Sequence, residues 1–197
     1  IQLAEPIYSL LRRLPGVAAL AVEPVEPHLG APAPGVVNHA VILGYGEVGQ
    51  MISQVLRTRG FPVLVIDHDP HAIEAARERG LPCIYGDAGN YHVLALANLT
   101  RARLLAVTLP DPIASQLAIA NAKRINPRLD IVVRASTQSA PRLLQVSGVR
   151  EVINPALEVS LEMTRHALHR FGLSSIEALA IVNRLRAEHH RYAEEED

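Results

Sequence analysis

From Asn38 onward, short runs of β-branched and aliphatic residues alternate with longer stretches in which apolar positions recur every three or four residues. The short runs predict strands near 39–44, 62–67, 82–86, 103–109, 130–135 and 151–153, with helices between them. Strands that alternate with helices form a βαβ series, because parallel neighbours need a long crossover. The expected fold is therefore α/β: a doubly wound, parallel, six-stranded, Rossmann-like sheet followed by C-terminal helices.

The helix boundaries are written in residue chemistry. After Gly46, apolar residues at Val48, Met51, Ile52, Val55 and Leu56 predict one face of a helix that ends at Gly60. Asp69-Pro70 and Asp111-Pro112 each set a capping carboxylate before a proline at the first helical position, and the first of these helices is expected to close at Gly80. Between Ala156 and Phe171 the apolar positions fall on two stripes, Leu157, Leu161 and Leu168 on one and Val159, Met163 and Ala167 on the other. Its own sheet is expected to cover one stripe and a partner subunit the other, so a homodimer through helix 156–171 is predicted. Ser174-Ser175-Ile176-Glu177 reads as a capping box opening a last helix that frays into Glu194-Glu195-Glu196-Asp197.

The first 38 residues have another texture. Six prolines, Pro6, Pro15, Pro24, Pro27, Pro32 and Pro34, predict a linker preceded by one short helical piece around Ile7 to Leu14. The chain starts at Ile1 rather than Met, which fits a piece of a longer polypeptide. No apolar run reaches the 18 residues of a membrane span. A net charge of -1 and 20% charged residues lack the basic excess of a nucleic-acid footprint, so no nucleic-acid partner is expected. Cys83, the single cysteine, can build neither a disulfide nor a cysteine zinc site and reads as a core thiol.

Candidate chemistry centres on Gly44-Tyr45-Gly46-Glu47-Val48-Gly49, a G-x-G-x-x-G loop between a buried strand and a helix. Gly44 suits the sharp turn, Gly46 lets backbone approach a pyrophosphate, and Gly49 permits close helix–strand packing. The helix behind the loop aims free N–H groups at an anion. The second strand ends at Asp67, about 20 residues on, where a ribose-binding acid is expected. That carboxylate, followed by His68 rather than arginine, disfavours a 2′-phosphate and hence NADP. Tyr85-Gly86-Asp87-Ala88 falls where an adenine would lie, although Asp87 reads equally as a helix cap. Thr108-Leu109 ends the fourth strand at the same rim. Arg134 ends the fifth, where it could reach a phosphate or pair with Asp67 or Asp87. His68, Asp69 and His71 resemble metal ligands on paper, but Asp69 is better used as a cap, and His189-His190 reads as part of a solvated tail. Lys123 is the only lysine, which excludes both a Walker G-K-[ST] loop and a short-chain-dehydrogenase tyrosine–lysine pair. Beyond the sixth strand only two helices' worth of chain remains, with no evident place for a substrate.

Taken together, the glycine loop, Asp67-His68-Asp69-Pro70, Tyr85-Gly86-Asp87-Ala88 and Val152-Ile153-Asn154-Pro155 resemble the TrkA-N (RCK, regulator of K⁺ conductance) domain, in the variant fused behind the membrane part of Kef-type cation:proton antiporters. The resemblance covers roughly residues 38 to 172, with 173–197 left as a C-terminal helix and acidic tail. It implies a dimeric domain at the cytoplasmic face of the cell membrane, joined to a membrane transport domain of the same polypeptide, that gates K⁺ or Na⁺ movement on binding NAD(H) or AMP/ATP. It further implies Gly44, Gly46 and the amides of Glu47 and Val48 at the phosphates and Asp67 at the ribose, with Tyr45 and His68 as further nucleotide-binding residues. Asp87 and Ala88 fall at the adenine, Thr108 and Leu109 along the nucleotide, and Arg134 at phosphate. The β-rich lobe that often follows this domain in K⁺ channels has no counterpart in residues 174 to 197. A regulatory, non-catalytic nucleotide-binding module competes with two other readings, a soluble NAD-dependent oxidoreductase and an apo dimerisation scaffold.

Overall fold

The computed structural model describes residues 36–135, 149 and 151–195, with side chains as far as residue 189; the expected linker and the short helix around residues 7–14 lie outside them. In chain order the elements are β1 (Ala40–Leu43), α1 (Glu47–Thr58), β2 (Val63–Asp67), α2 (Pro70–Glu78), β3 (Cys83–Tyr85), α3 (Tyr91–Leu96), a 3₁₀ turn (Leu99–Arg101), β4 (Leu104–Val107), α4 (Pro112–Ile125), β5 (Asp130–Arg134), β6 (Glu151–Ile153), α5 (Pro155–Arg170) and α6 (Ser175–Glu195). The six strands pair in parallel, as expected, and lie in the order β3-β2-β1-β4-β5-β6. The order reverses between β1 and β4, which is where a doubly wound sheet opens a crevice at its carboxyl rim.

Side-chain alternation along the strands splits the core in two. Val41 and Leu43 of β1 join Leu64, Ile66, Leu105, Val107 and Val133 on one face, under α3 and α4. Ala40 and Ile42 face the other way, with Val63, Val65 and Ala106, under α1 and α2. Burial on both faces is why these strands read as unbroken apolar runs.

The predicted caps are present. Asp69 and Asp111 accept from the amides of His71 and Ile113, both at 2.9 Å, ahead of Pro70 and Pro112. Gly60 and Gly80 take φ of +80° and +66° past the ends of α1 and α2. The capping box also forms: the Glu177 carboxylate accepts from the Ser174 amide and hydroxyl, while Ser174 Oγ accepts from the Glu177 amide.

Two expectations need correction. The row Val48, Met51, Val55 on α1 is exposed, and the helix meets the sheet through Gly49 and Ser53, with Ile52 and Leu56 only flanking the contact. The small residues let the backbones touch, which rotates the apolar row to the side. The second concerns α5. Its inner stripe, with Leu161 buried, is covered by α6 through Ala178 and Val182; among the described residues no strand packs extensively against α5. Arg186 of α6 grips Glu158 of α5 with two hydrogen bonds, Nε to Oε1 at 3.0 Å and Nη2 to Oε2 at 2.8 Å. The pair α5–α6 is thus a hairpin, and its outer stripe, with Val159 and Met163, remains exposed.

Candidate functional site

The strand ends assemble one rim. Gly44 leaves β1 with φ +92°, and a Cβ there would stand 2.9 Å from Thr108 Oγ1, so the turn is closed to side chains on both counts. Thr108 itself is spent on the loop, its hydroxyl 3.0 Å from the carbonyls of both Leu43 and Gly44. A Cβ on Gly49 would lie 2.0 Å from the Gly44 carbonyl oxygen, which is the close helix–strand approach read from the spacing.

Gly46 differs from its neighbours. A Cβ built there meets nothing within 4 Å, and as N-cap of α1 it supplies no side-chain acceptor. The other described α-helices are capped by Asp69, Asn90, Asp111, Asn154 and Ser174. The first-turn amides of α1 therefore open onto space at the crevice mouth, with the partial positive charge of the helix behind them.

Asp67 ends β2 beside this opening and is almost fully buried. Its Oδ2 accepts from the Tyr45 amide at 2.6 Å and its Oδ1 from the Asp69 amide at 2.9 Å. Two backbone donors fix the carboxylate as an acceptor, and its remaining lone pairs stay available to hydroxyl donors. His68 Nδ1 stands 3.6 Å from Oδ1 with the ring largely in solvent.

Across the rim, Asp87 does not cap a helix: its Oδ1 accepts from Gly89 in a tight turn at 2.8 Å, and Asn90 caps α3. Ala88 and Leu109 bury their side chains in the core, which leaves their main chain for a ligand. Arg134 ends β5 half-buried and pairs with neither Asp67 nor Asp87. Among the described residues, no cluster of three or more ligating side chains forms around His68, Asp69 and His71.

One network was not visible in the motif. The Tyr45 ring is buried, its hydroxyl accepts from Arg79 Nη1 at 3.3 Å, and the same nitrogen donates to Gln50 Oε1 at 2.9 Å. Gln50 Nε2 returns to the Tyr45 carbonyl at 3.1 Å. The loop's second residue is thus anchored backwards onto α1 and the end of α2. An aromatic at that position was the available signal, but its partners come from two separate segments, α1 and the end of α2.

The arrangement offers an uncapped helix N-terminus and a fixed carboxylate acceptor within one crevice. The family model of the TrkA-N domain matches residues 40–155. The glutathione-regulated potassium-efflux system protein KefC of Enterobacter sp. (strain 638) is 32% identical over 138 residues, which is 70% of this chain and 22% of that protein. The chain thus spans less than a quarter of the curated relatives it matches. The Shewanella denitrificans Kef CTD in AMP-bound form superposes with a TM-score of 0.71 at 25% identity, over 80% of this chain and 96% of that one. The TrkA-N domain of the inner membrane protein YbaL from Escherichia coli superposes with a TM-score of 0.63 at 29% identity, over 66% and 96%.

Proposed function

The chain belongs to the TrkA-N domain family, and from that premise we propose that it is a cytoplasmic regulatory module of a membrane K⁺ or Na⁺ transporter that binds NAD(H) or an adenine nucleotide and gates transport without catalysing a reaction. The observation that carries this reading is the uncapped N-terminus of α1 behind Gly46, set beside the fixed carboxylate of Asp67. The nucleotide phosphates sit on the amides of Gly46, Glu47 and Val48, and the ribose hydroxyls donate to Asp67. The AMP bound by the similar Kef domain supports an adenosine ligand. Among the described residues no helix is long and apolar enough to cross a membrane.

Gating follows from linkage. A nucleotide shifts an equilibrium between two domain arrangements only by its differential affinity for them, typically about 1–3 kcal/mol. The α5–α6 hairpin, whose helices pack mainly on each other among the described residues, is the element that takes two positions in this reading. A homodimer through the outer stripe of α5 gives that movement something to push against.

Asp67→Ala tests the site. Calorimetry should show adenosine nucleotides weakened by one or two charged hydrogen bonds, each about 1.5–3 kcal/mol, and NAD losing more than NADP. If the two affinities fall in parallel, Asp67 is not the ribose acid. Hydride transfer from bound NADH to any substrate would sink the non-catalytic reading.

A further inference from the structure

Glu47 is the first residue of α1, and its exposed carboxylate makes neither a hydrogen bond nor an ion pair with any described residue. An acid in the first turn favours the helix by itself, since it faces the positive end of the dipole. Here, however, that same end is the uncapped cradle over Gly46, so the carboxylate and a bound phosphate compete for one patch of positive potential. The rest of the rim adds to the imbalance. Asp67, Asp69, Asp87 and Asp111 all sit at strand carboxyl ends, against Arg134 as the one described guanidinium at those ends.

Resting on the nucleotide reading above, we infer that Glu47 sets the ligand's charge: the site selects nucleotides with few phosphate charges, a nucleoside monophosphate or a nicotinamide dinucleotide, over di- and triphosphates. A dinucleotide spreads its two phosphates between two sugars and carries a cationic ring in its oxidised form. A triphosphate instead gathers its charges at one end of the molecule, at the same uncapped helix end where the exposed Glu47 carboxylate already stands. Each phosphate beyond the first adds about one negative charge at neutral pH, and a carboxylate several ångströms away in partly screened solvent reduces affinity about three- to tenfold per added charge at low salt.

The test is calorimetry of the whole 197-residue chain with AMP, ADP, ATP and NAD, in chelator and again with Mg²⁺. In chelator the wild type should bind AMP and NAD more tightly than ADP, and ADP more tightly than ATP. Glu47→Gln should raise ATP affinity about three- to tenfold, AMP affinity less and NAD affinity least, with Glu47→Arg extending the trend and added salt shrinking it. Mg²⁺ should recover part of the ATP affinity in the wild type and less in Glu47→Gln. Circular dichroism verifies folding, and Glu78→Gln at the far end of α2 serves as a charge-matched control. Affinities that do not depend on phosphate number, or that rise equally for all four ligands in Glu47→Gln, overturn the selectivity while leaving the nucleotide site standing. Failure of every ligand to bind the wild type overturns both.

Discussion

At the scale of single residues, the three loop glycines answer three different demands. Gly44 is held by a positive φ and by Thr108, Gly49 by contact with the Gly44 carbonyl, and Gly46 by nothing inside the protein. The space beside Gly46 is thus open to something external. Gly46→Val should therefore leave thermal stability nearly unchanged and abolish nucleotide binding in a calorimetric titration, because the branched side chain fills the space of the phosphates. Gly49→Ala should do the reverse first, lowering stability by about 1–3 kcal/mol through overpacking before binding is considered. Undiminished affinity in Gly46→Val would remove the loop from the site. Asp67 shows the limit of motif reading at this scale. Its position was expected from spacing, but the Tyr45 amide that fixes Oδ2 is in the glycine loop itself, so the acid and the loop form one hydrogen-bonded unit.

At the scale of elements, caps were legible and packing partners were not. Asp69, Asp111 and the Ser174–Glu177 box act within three residues of sequence, so local chemistry is enough to place them. The Ser174 hydroxyl, and after it the Ser174 amide, holds the exposed Glu177 carboxyl below its usual 4.5. A depressed carboxyl pKa contributes to stability above the unfolded value and loses that contribution as pH falls through the folded one, so the box should weaken below about pH 4.5. Ser174→Ala should cost about 0.5–2 kcal/mol of α6 stability and shift the Glu177 titration back toward 4.5, both measurable by NMR. An unmoved Glu177 midpoint would mean the box does not persist in solution. The α1 stripe illustrates the opposite case. Periodicity located an apolar row correctly, but Gly49 and Ser53 decided which side of it met the sheet.

At the scale of the molecule, the open question is what covers the outer stripe of α5. Val159 and Met163 are 59% and 68% exposed, whereas Leu161, two residues from each, is 4% exposed against α6. A stable homodimer through this face should bury about 1,600 Å² in total or more. Light scattering with circular dichroism should then separate two variants. Leu161→Asp should melt the α5–α6 hairpin, while Met163→Asp should give a folded, nucleotide-binding monomer. A wild-type chain that stays monomeric at high concentration would end the dimer proposal and deprive the gating scheme of its moving part.

The alternation of strands and helices, the helix caps, the glycine loop and the position of Asp67 at a strand end could all be read along the chain, because each rests on contacts between near neighbours or on a periodicity that burial on two faces imposes. Three matters needed the folded chain: the closure of Tyr45 onto Arg79 and Gln50, the transfer of helix capping from Asp87 to Asn90, and the choice of α6 over the sheet as cover for Leu161. In the first, Arg79 lies 34 residues from Tyr45, and in the last the choice falls between the next helix and the sheet. In the middle one, two acceptors three residues apart compete for the same helix end, and the turn at Gly89 assigns them. Local patterns specify what each segment can form, and only the assembled sheet decides which of the available partners it meets.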